Sequence, residues 1–466
     1  MACNFCGRVL SVRISGKKLV FLDLVQDDRV LQVICSFGSV AASGDLAPFR
    51  TFSHLVRRGD IVSVVGNPIG KDTGPLSIKA TALPQILSPA LPLLPTVLGD
   101  RETRIRNRHV DLLVNKNVAD TLRVRSHIIQ YVREFLLRDD FLEVQTPIMV
   151  GIANGAAARP FTTAATEFLD KKLALRIAPE IWLKRLVLGG FDRVFEIGPA
   201  FRNEGLDATH NPEFTTCEFY KSYADLEDLM QMTEDMISGL ADHVNSLRDG
   251  PLKTLPAIDA RLLSTPFRRI EFIPAVEAGW REMLPDLAAQ DATEKVLALF
   301  EKHGLHVPAS PTLPHLLDKL STIYIEPRCQ QPTYIIHHPA CMAPLSKSFR
   351  DSATNQMVSA RAELFIQQKE IANMYEEENS PFEQRQKFVQ QTLLKDEESD
   401  AEVDESYLEA LEWGLPPTGG WGCGIDRICM LLSGSTRISD VLAFGSLRNV
   451  VNLGNRVEKE SENTEG

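Results

Sequence analysis

The sequence predicts an α+β protein: a small all-β barrel at the N-terminus, then a larger domain mixing strands with amphipathic helices. Three observations predict it. Apolar alternation recurs over 8–14, 19–24, 30–35, 61–65 and 76–80. Gly, Asp, Asn and Pro separate these runs, as expected of short strands joined by turns. A stripe at helical spacing (Leu122, Val124, Ile128, Ile129, Val132, Phe135, Leu136) predicts a helix over about 121–138. Residues 201–220, FRNEGLDATHNPEFTTCEFY, read as two strand-like runs around a loop rich in Gly, Asp, His, Asn and Pro.

The 466 residues suffice for two or three domains with ample core. Their 44% hydrophobic and 24% charged content is that of an ordinary globular chain, with no apolar run long enough to span a membrane. A net charge of −12 argues against nonspecific coating of nucleic acid. It leaves room for a local RNA-docking patch, for which Arg57, Arg58, Lys71 and Lys79, then Arg101, Arg104, Arg106 and Arg108, are candidates. Most such runs are merely solvated faces. Eight cysteines without framework spacing point to free thiols in a reducing compartment. Cys3-x-x-Cys6 has no second pair to close a zinc site. Residues 66–73, GNPIGKDT, miss a phosphate-binding loop by one residue of spacing, and Asp72 stands where Ser or Thr should hold magnesium. They read as a strand and turn.

In chain order, 1–85 forms the barrel, 86–120 a linker, 121–455 the larger domain with a helical insertion at about 250–330, and 456–466 a polar disordered tail. Five short strands suit an OB-type barrel, whose exposed face commonly holds single-stranded nucleic acid; a sandwich fragment fits the same pattern. Pro84, Pro89, Pro92 and Pro95 break regular structure in the linker. The predicted helix and the extended FLEVQTPIM after it fit a core helix beside a buried strand.

Alternation puts Arg202 and Glu204 on one face of the first run, and Phe214, Thr216, Glu218 and Tyr220 on one face of the second. Unpaired charges are costly to bury, so such a surface is either an ion-pair ladder or a site. Further on, ELFI and EIANMYEE form a hairpin around Gln367-Gln368-Lys369, with Asn373, Tyr375 and Glu377 on one face. Glu370 has the opposite parity, and only a bulge would bring it to that face. In WGLPPTGGWGCGIDRICMLL, Gly419, Gly420, Gly422 and Gly424 permit close backbone approach, and Arg427 opens an apolar helix.

These stretches resemble the signature motifs of class II aminoacyl-tRNA synthetases, and specifically of lysyl-tRNA synthetases, over about 7–450. RIAPEIWLKRLVLGG at 176–190 and the barrel wording SGKKLVFLDL and RRGDIVSVVGNPIG match as well. The resemblance implies an OB barrel followed by an antiparallel sheet flanked by helices, in a homodimer whose interface includes the helix near 121–138. It implies that lysine and ATP give lysyl-adenylate, and that the lysyl group passes to tRNA(Lys). Carried over residue by residue, Arg202 and Arg427 are catalytic. Gly155, Glu180, Glu218, Tyr220, Asn373, Tyr375, Glu377 and Gly422 bind lysine. Arg202, Glu204, His210, Phe214, Glu370 and Arg427 bind ATP, Glu363 and Glu370 hold Mg2+, and Arg13, Phe21 and Gln32 read the anticodon. The chain departs from the family at Asn154, where a second glycine is usual, and over 338–350.

Three other readings stand beside this one. An aspartate or asparagine enzyme of the same subclass would need a basic side-chain pocket, which Glu218 and Glu377 oppose. A protein-lysylating ligase would lack the barrel, and a non-catalytic tRNA-binding relative would be expected to lose motif residues. The wording is nearest to fungal mitochondrial enzymes and implies the matrix. No Arg- and Ser-rich amphipathic presequence precedes the barrel, so a start lying upstream of this sequence and a cytoplasmic enzyme stand as the alternatives.

Overall fold

The computed structural model describes residues 3–41, 44–70, 77–151, 158–168, 171–308, 311–393 and 403–454. Asn154, Gly155, residues 71–73 of the expected strand and turn, and the tail at 456–466 lie outside the described residues. The chain divides into two units, Met1–Val114 and Asn115–Gly466.

In the first unit the main elements are β1 (Cys3–Ser15), β2 (Leu19–Gln26), β3 (Arg29–Ser36), α1 (Ala47–Leu55), β4 (Ile61–Ile69), β5 (Ser77–Ala80) and β6 (Gln85–Ser88). The strand order β1-β2-β3-β5-β4, closed by pairing of β1 with β4, makes a five-stranded OB-like barrel. Period-two patterning builds it: Val20, Leu22 and Leu24 point inward to meet Val9, Val33, Val62 and Val64, while Phe21 and Asp23 face out. Cys3 and Cys6 pair with Gly66 and Ser63 three positions apart on β1, so their side chains leave opposite faces. The stretch expected to be an unstructured linker carries two helices, α2 (Arg101–Arg106) and α3 (Arg108–Val114). Asp100 caps α2 by accepting from the Thr103 amide at 2.8 Å.

The second unit opens with α4 (Lys116–Arg138), five residues ahead of the predicted start. Then come β7 (Leu142–Glu143), α5 (Glu180–Leu188), β8 (Arg193–Phe201), β9 (Glu213–Ser222), α6 (Leu226–Leu247) and β10 (Arg268–Glu271). Three helices follow, α7 (Phe272–Trp280), α8 (Ala292–Lys302) and α9 (Leu313–Tyr324). The stretch expected to be a helical insertion carries these three helices together with the short strand β10. Last are β11 (Thr333–Ile336), β12 (Arg361–Ile366), β13 (Lys369–Glu376), α10 (Glu405–Leu411), β14 (Thr418–Gly424) and α11 (Ile425–Ser433).

Eight of these strands form one sheet in the order β10-β11-β12-β13-β14-β9-β8-β7. The six central strands are antiparallel as expected, but the two edge strands pair in parallel. One face of the sheet is apolar: Phe219, Trp421, Met374, Leu364 and Cys217 pack against Val124, Ile128 and Val132 of α4, Leu229 of α6 and Ile428 of α11. Phe219 and Trp421 stack at 4.9 Å between centroids. With that face committed to the core, register sends Glu218, Tyr220, Asn373 and Tyr375 to the other.

Candidate active site

The site is built on three neighbouring strands, of which the middle one presents glycines to the site and turns Trp421 and Cys423 to the core. On β14, Gly422 lies between Glu218 of β9 and Asn373 of β13, and Gly420 lies between Tyr220 and Tyr375. A trough results, with polar walls and a backbone floor. A methyl group on Gly420 would fall on the Glu377 carboxylate and 2.8 Å from the Tyr220 ring, so the trough requires glycine there. Glu377 follows β13 and is fully buried, held by its amide donating to the Thr418 carbonyl at 2.8 Å. The predicted hairpin is present, turning on Gln367 and Gln368 at φ 52° and 62°.

Glu180 opens α5 and is buried beside this trough. It accepts from the Tyr375 hydroxyl at 2.7 Å and from the Lys184 ammonium at 2.6 Å. Lys184, one helical turn on, is fully buried and also forms an ion pair with Glu377. Its Nζ lies 5.8–5.9 Å from the ring centroids of Tyr220, Tyr375 and Tyr407. Burial alone would lower the Lys184 pKa, but the Glu180 and Glu377 carboxylates outweigh it and keep the ammonium charged. Glu218 shows the opposite balance. Burial and then the Glu180 charge push its carboxyl up to about 8, against the pull of Arg202 and Arg176. Burial likewise raises Glu377, with Lys184 opposing. Arg176 and Glu196, an ion pair at 2.7 Å with both side chains buried, back the Glu218 position.

The nucleotide-side candidates divide. The strand expected to carry Arg202 and Glu204 ends at Phe201, so both residues belong to the following loop. The turn there closes through the Glu204 amide donating to the Arg202 carbonyl at 2.8 Å. Arg202 sits over the Phe214 ring at 5.2 Å, which leaves a guanidinium and an aromatic face together. Glu204 is exposed, its carboxylate without a hydrogen-bond or ion-pair partner among the described residues. Arg427 donates to Glu370 Oε2 at 3.1 Å and lies 3.0 Å from His210 Nε2, so these three predicted residues do meet. A bulge places Glu370: Leu364 pairs with Ala372 and Phe365 with Glu370, so Ile371 is an extra residue and the parity shifts. Glu370 and Glu363 thereby share the trough face. Burial would raise the Glu363 carboxyl, but Arg361 and His338 outweigh it and hold it at about 2. No cluster of three metal-ligating side chains occurs among the described residues. Two carboxylates on one face fit magnesium, which takes one or two protein carboxylates together with substrate phosphates.

On the barrel, Arg13, Phe21 and Gln32 come together on the outer face of β1, β2 and β3. The Arg13 guanidinium lies 5.7 Å from the Phe21 centroid. Asp23 ties the patch by accepting from Arg13 and Gln32, each at 3.4 Å, and from Ser11.

Sequence reasoning missed several of these groups. Lys184 stands four residues after Glu180, a helical spacing that could have revealed it. Arg361 donates to the Asn373 amide oxygen at 3.0 Å and contacts Glu363, and alternation with Glu363 was its only signal. Arg125 of α4 pairs with Asp426 and donates to Thr215 at 2.8 Å, while Asp426 accepts from the Thr215 amide at 2.8 Å. That contact fixes the residue beside Arg427 from 301 positions away, beyond any local pattern.

Residues 100–448 match the family described as tRNA synthetases class II (D, K and N). The chain is 40% identical over 463 residues to lysine–tRNA ligase cla4 of Cladosporium cladosporioides, covering 96% of this chain and 76% of that protein. It is 40% identical over 454 residues to the mitochondrial lysine–tRNA ligase of Schizosaccharomyces pombe, covering 96% and 84%. It is 42% identical over 454 residues to a probable cytoplasmic lysine–tRNA ligase of Encephalitozoon cuniculi, covering 95% and 86%.

Proposed function

The chain belongs to the class II tRNA synthetases, among the lysine–tRNA ligases, and from that premise we propose that its trough activates L-lysine with ATP and transfers the lysyl group to tRNA(Lys). The observation that carries the reading is the acidic trough itself: Glu180, Glu218 and Glu377 gathered around a glycine floor. A buried ammonium needs carboxylates to offset its desolvation and a hydroxyl to complete its donors, and Tyr220 and Tyr375 supply hydroxyls. A carboxylate side chain has no such welcome here, which opposes aspartate as substrate.

The lysine carboxylate attacks the ATP α-phosphorus in line, forming lysyl-adenylate and releasing pyrophosphate. The terminal ribose hydroxyl of the tRNA then takes the lysyl group and releases AMP. No protein nucleophile enters either step. Arg202 neutralises charge between the substrate carboxylate and the α-phosphate, Phe214 stacks the adenine with Glu204 at its edge, and His210 with Arg427 grips the outer phosphates. Gly422 and Asn373 border the amino acid, and Gly155, outside the described residues, is assigned to it by family correspondence alone. Glu363 and Glu370 would hold Mg2+, whose charge offsets that of the phosphates. Arg13, Phe21 and Gln32 read the anticodon, the ring stacking on a base and the amide reading an edge.

Two further assignments complete the proposal. The enzyme works as a homodimer, supported by exposed Leu137, Leu142, Ile148 and Met149 near the α4 helix, and sedimentation of the purified chain measures this. Its compartment is the mitochondrial matrix, on the wording shared with fungal mitochondrial relatives, and a purely cytosolic signal from the tagged gene would overturn that. Relatives of both compartments are equally similar.

ATP–pyrophosphate exchange assayed with each amino acid in turn tests the chemistry. Lysine alone should support exchange, and tRNA(Lys) should then be charged. Exchange that responds to aspartate or asparagine instead would replace this reading.

A further inference from the structure

The trough contains an ammonium of its own. Lys184 is fully buried, bonded to Glu180 at 2.6 Å and paired with Glu377, which are the two carboxylates assigned above to the substrate. Among the described residues, the charged or titratable groups set against it are Glu180 on α5, Glu377 after β13, Tyr220 on β9, Tyr375 on β13 and Tyr407 on α10, and Glu218 of β9 acts in turn on Glu377. The pairing is incomplete. Glu377 Oε1 is buried and has no hydrogen-bond partner among the described residues.

The charges can be counted from named residues. Glu196 is matched by Arg176, and Arg202 stands over Phe214 on the nucleotide side. Three carboxylates remain, those of Glu180, Glu218 and Glu377, with a single resident ammonium. Two of the three carboxyls are left without a resident cation, and when these ionise they match the two ammonium groups that lysine brings. Without Lys184, three carboxylates would share two cations in a dry site, and one would keep a proton instead of holding a fixed geometry.

We propose that Lys184 is a positioning and specificity-determining residue: a built-in counter-cation that fixes Glu377 and Glu180 and trims the trough to the charge of a diammonium substrate. Its effect on the substrate runs chiefly through Glu377, since Glu180 is held by the Tyr375 hydroxyl as well, and not by touching the substrate. This inference rests on the trough being the lysine site, so that reading is checked first by lysine-dependent ATP–pyrophosphate exchange of the unaltered protein.

The test is a double-mutant cycle in the lysine KM, using Lys184→Met, Glu377→Gln and the two together. Each single change should raise the lysine KM on the order of 10²-fold, with the ATP KM within about threefold. Independent effects would multiply to roughly 10⁴-fold, whereas effects through one shared contact do not add. The double variant should therefore stay within about fivefold of Glu377→Gln alone. A multiplied loss, or a lysine KM that Lys184→Met leaves within about twofold of normal, overturns the inference. If Lys184→Met does not fold, the pairwise neutral variant is compared with Glu377→Gln alone. Removing both members of a buried ion pair is commonly tolerated. Agreement within about fivefold upholds the proposal, and anything larger rejects it. Absence of lysine-dependent exchange in the unaltered protein would instead reject the lysine reading itself.

Discussion

The trough and the barrel face use the same kinds of residue under opposite conditions. Each gathers a cation, a carboxylate, an aromatic ring and an amide, on three neighbouring strands in the barrel and on helix α5 with strands β9 and β13 in the trough. In the trough, Lys184 and Glu180 meet at 2.6 Å with side chains 0% and 5% exposed. On the barrel, Arg13 and Asp23 meet at 3.4 Å with side chains 59% and 26% exposed. Water screens the second pair, which is worth about 0–1 kcal/mol, while breaking a buried pair costs about 3–5 kcal/mol. Charge counting therefore defines what the trough accepts. The barrel must recognise its ligand by stacking and donor geometry, because its charges are too cheap to discriminate.

The largest effect that could break this contrast is at the reacting centre. Arg202→Lys keeps the charge but loses the planar fork, so lysine-dependent exchange should fall on the order of 10²-fold, as for lost transition-state donors worth about 2.7–4 kcal/mol. Near-normal turnover would show that charge without fork geometry suffices there, and would remove Arg202 from the catalytic residues. Next comes acidity. Glu218 titrates at about 8 in the free trough and must be ionised to hold an ammonium. Lysine binding at lower pH therefore has to displace a proton, and the lysine KM should fall roughly tenfold as pH rises from about 6.5 to 8. A flat profile would mean that Glu218 is not among the groups that meet the substrate. The smallest effect is expected on the barrel. Phe21→Ala should raise the tRNA KM about fivefold to tenfold, the lower end of one stacked base, and leave exchange without tRNA unchanged. Equal damage to both assays would remove the separation between the two regions.

What the sequence made legible follows from which forces are local. Period two in FTTCEFY and in NMYEE sorted Glu218, Tyr220, Asn373 and Tyr375 onto one face, because the alternate residues Phe219 and Met374 are apolar enough to claim the core. The glycines of β14 were visible for the same reason. The parity of Glu370 was not, since a bulge is set by how Ile371 and Ala372 both settle into the apolar face, a property of packing. The strand ending at Phe201 was missed because alternating side chains alone do not show where pairing stops. The prolines at 84–95 masked helices α2 and α3 by making the whole stretch look irregular, although Asp100 before RETRIR is a capping signal. Lys184 was not singled out: its spacing from Glu180 hints at a pair, but its burial depends on the tertiary placement of Glu377.

The extra residue at Ile371 has a consequence for how such a protein can change. It divides β13 into two segments whose side chains are out of phase. Glu370 lies on the nucleotide side of that break, and Asn373 and Tyr375 lie on the amino-acid side, followed by Glu377. Each segment keeps its own frame against its neighbours, so substitutions that retune one substrate's contacts need not disturb the other's. One strand thus behaves as two independently adjustable rulers joined at a single residue. Deleting that residue would turn the Glu370 side chain away while leaving the lysine contacts in register.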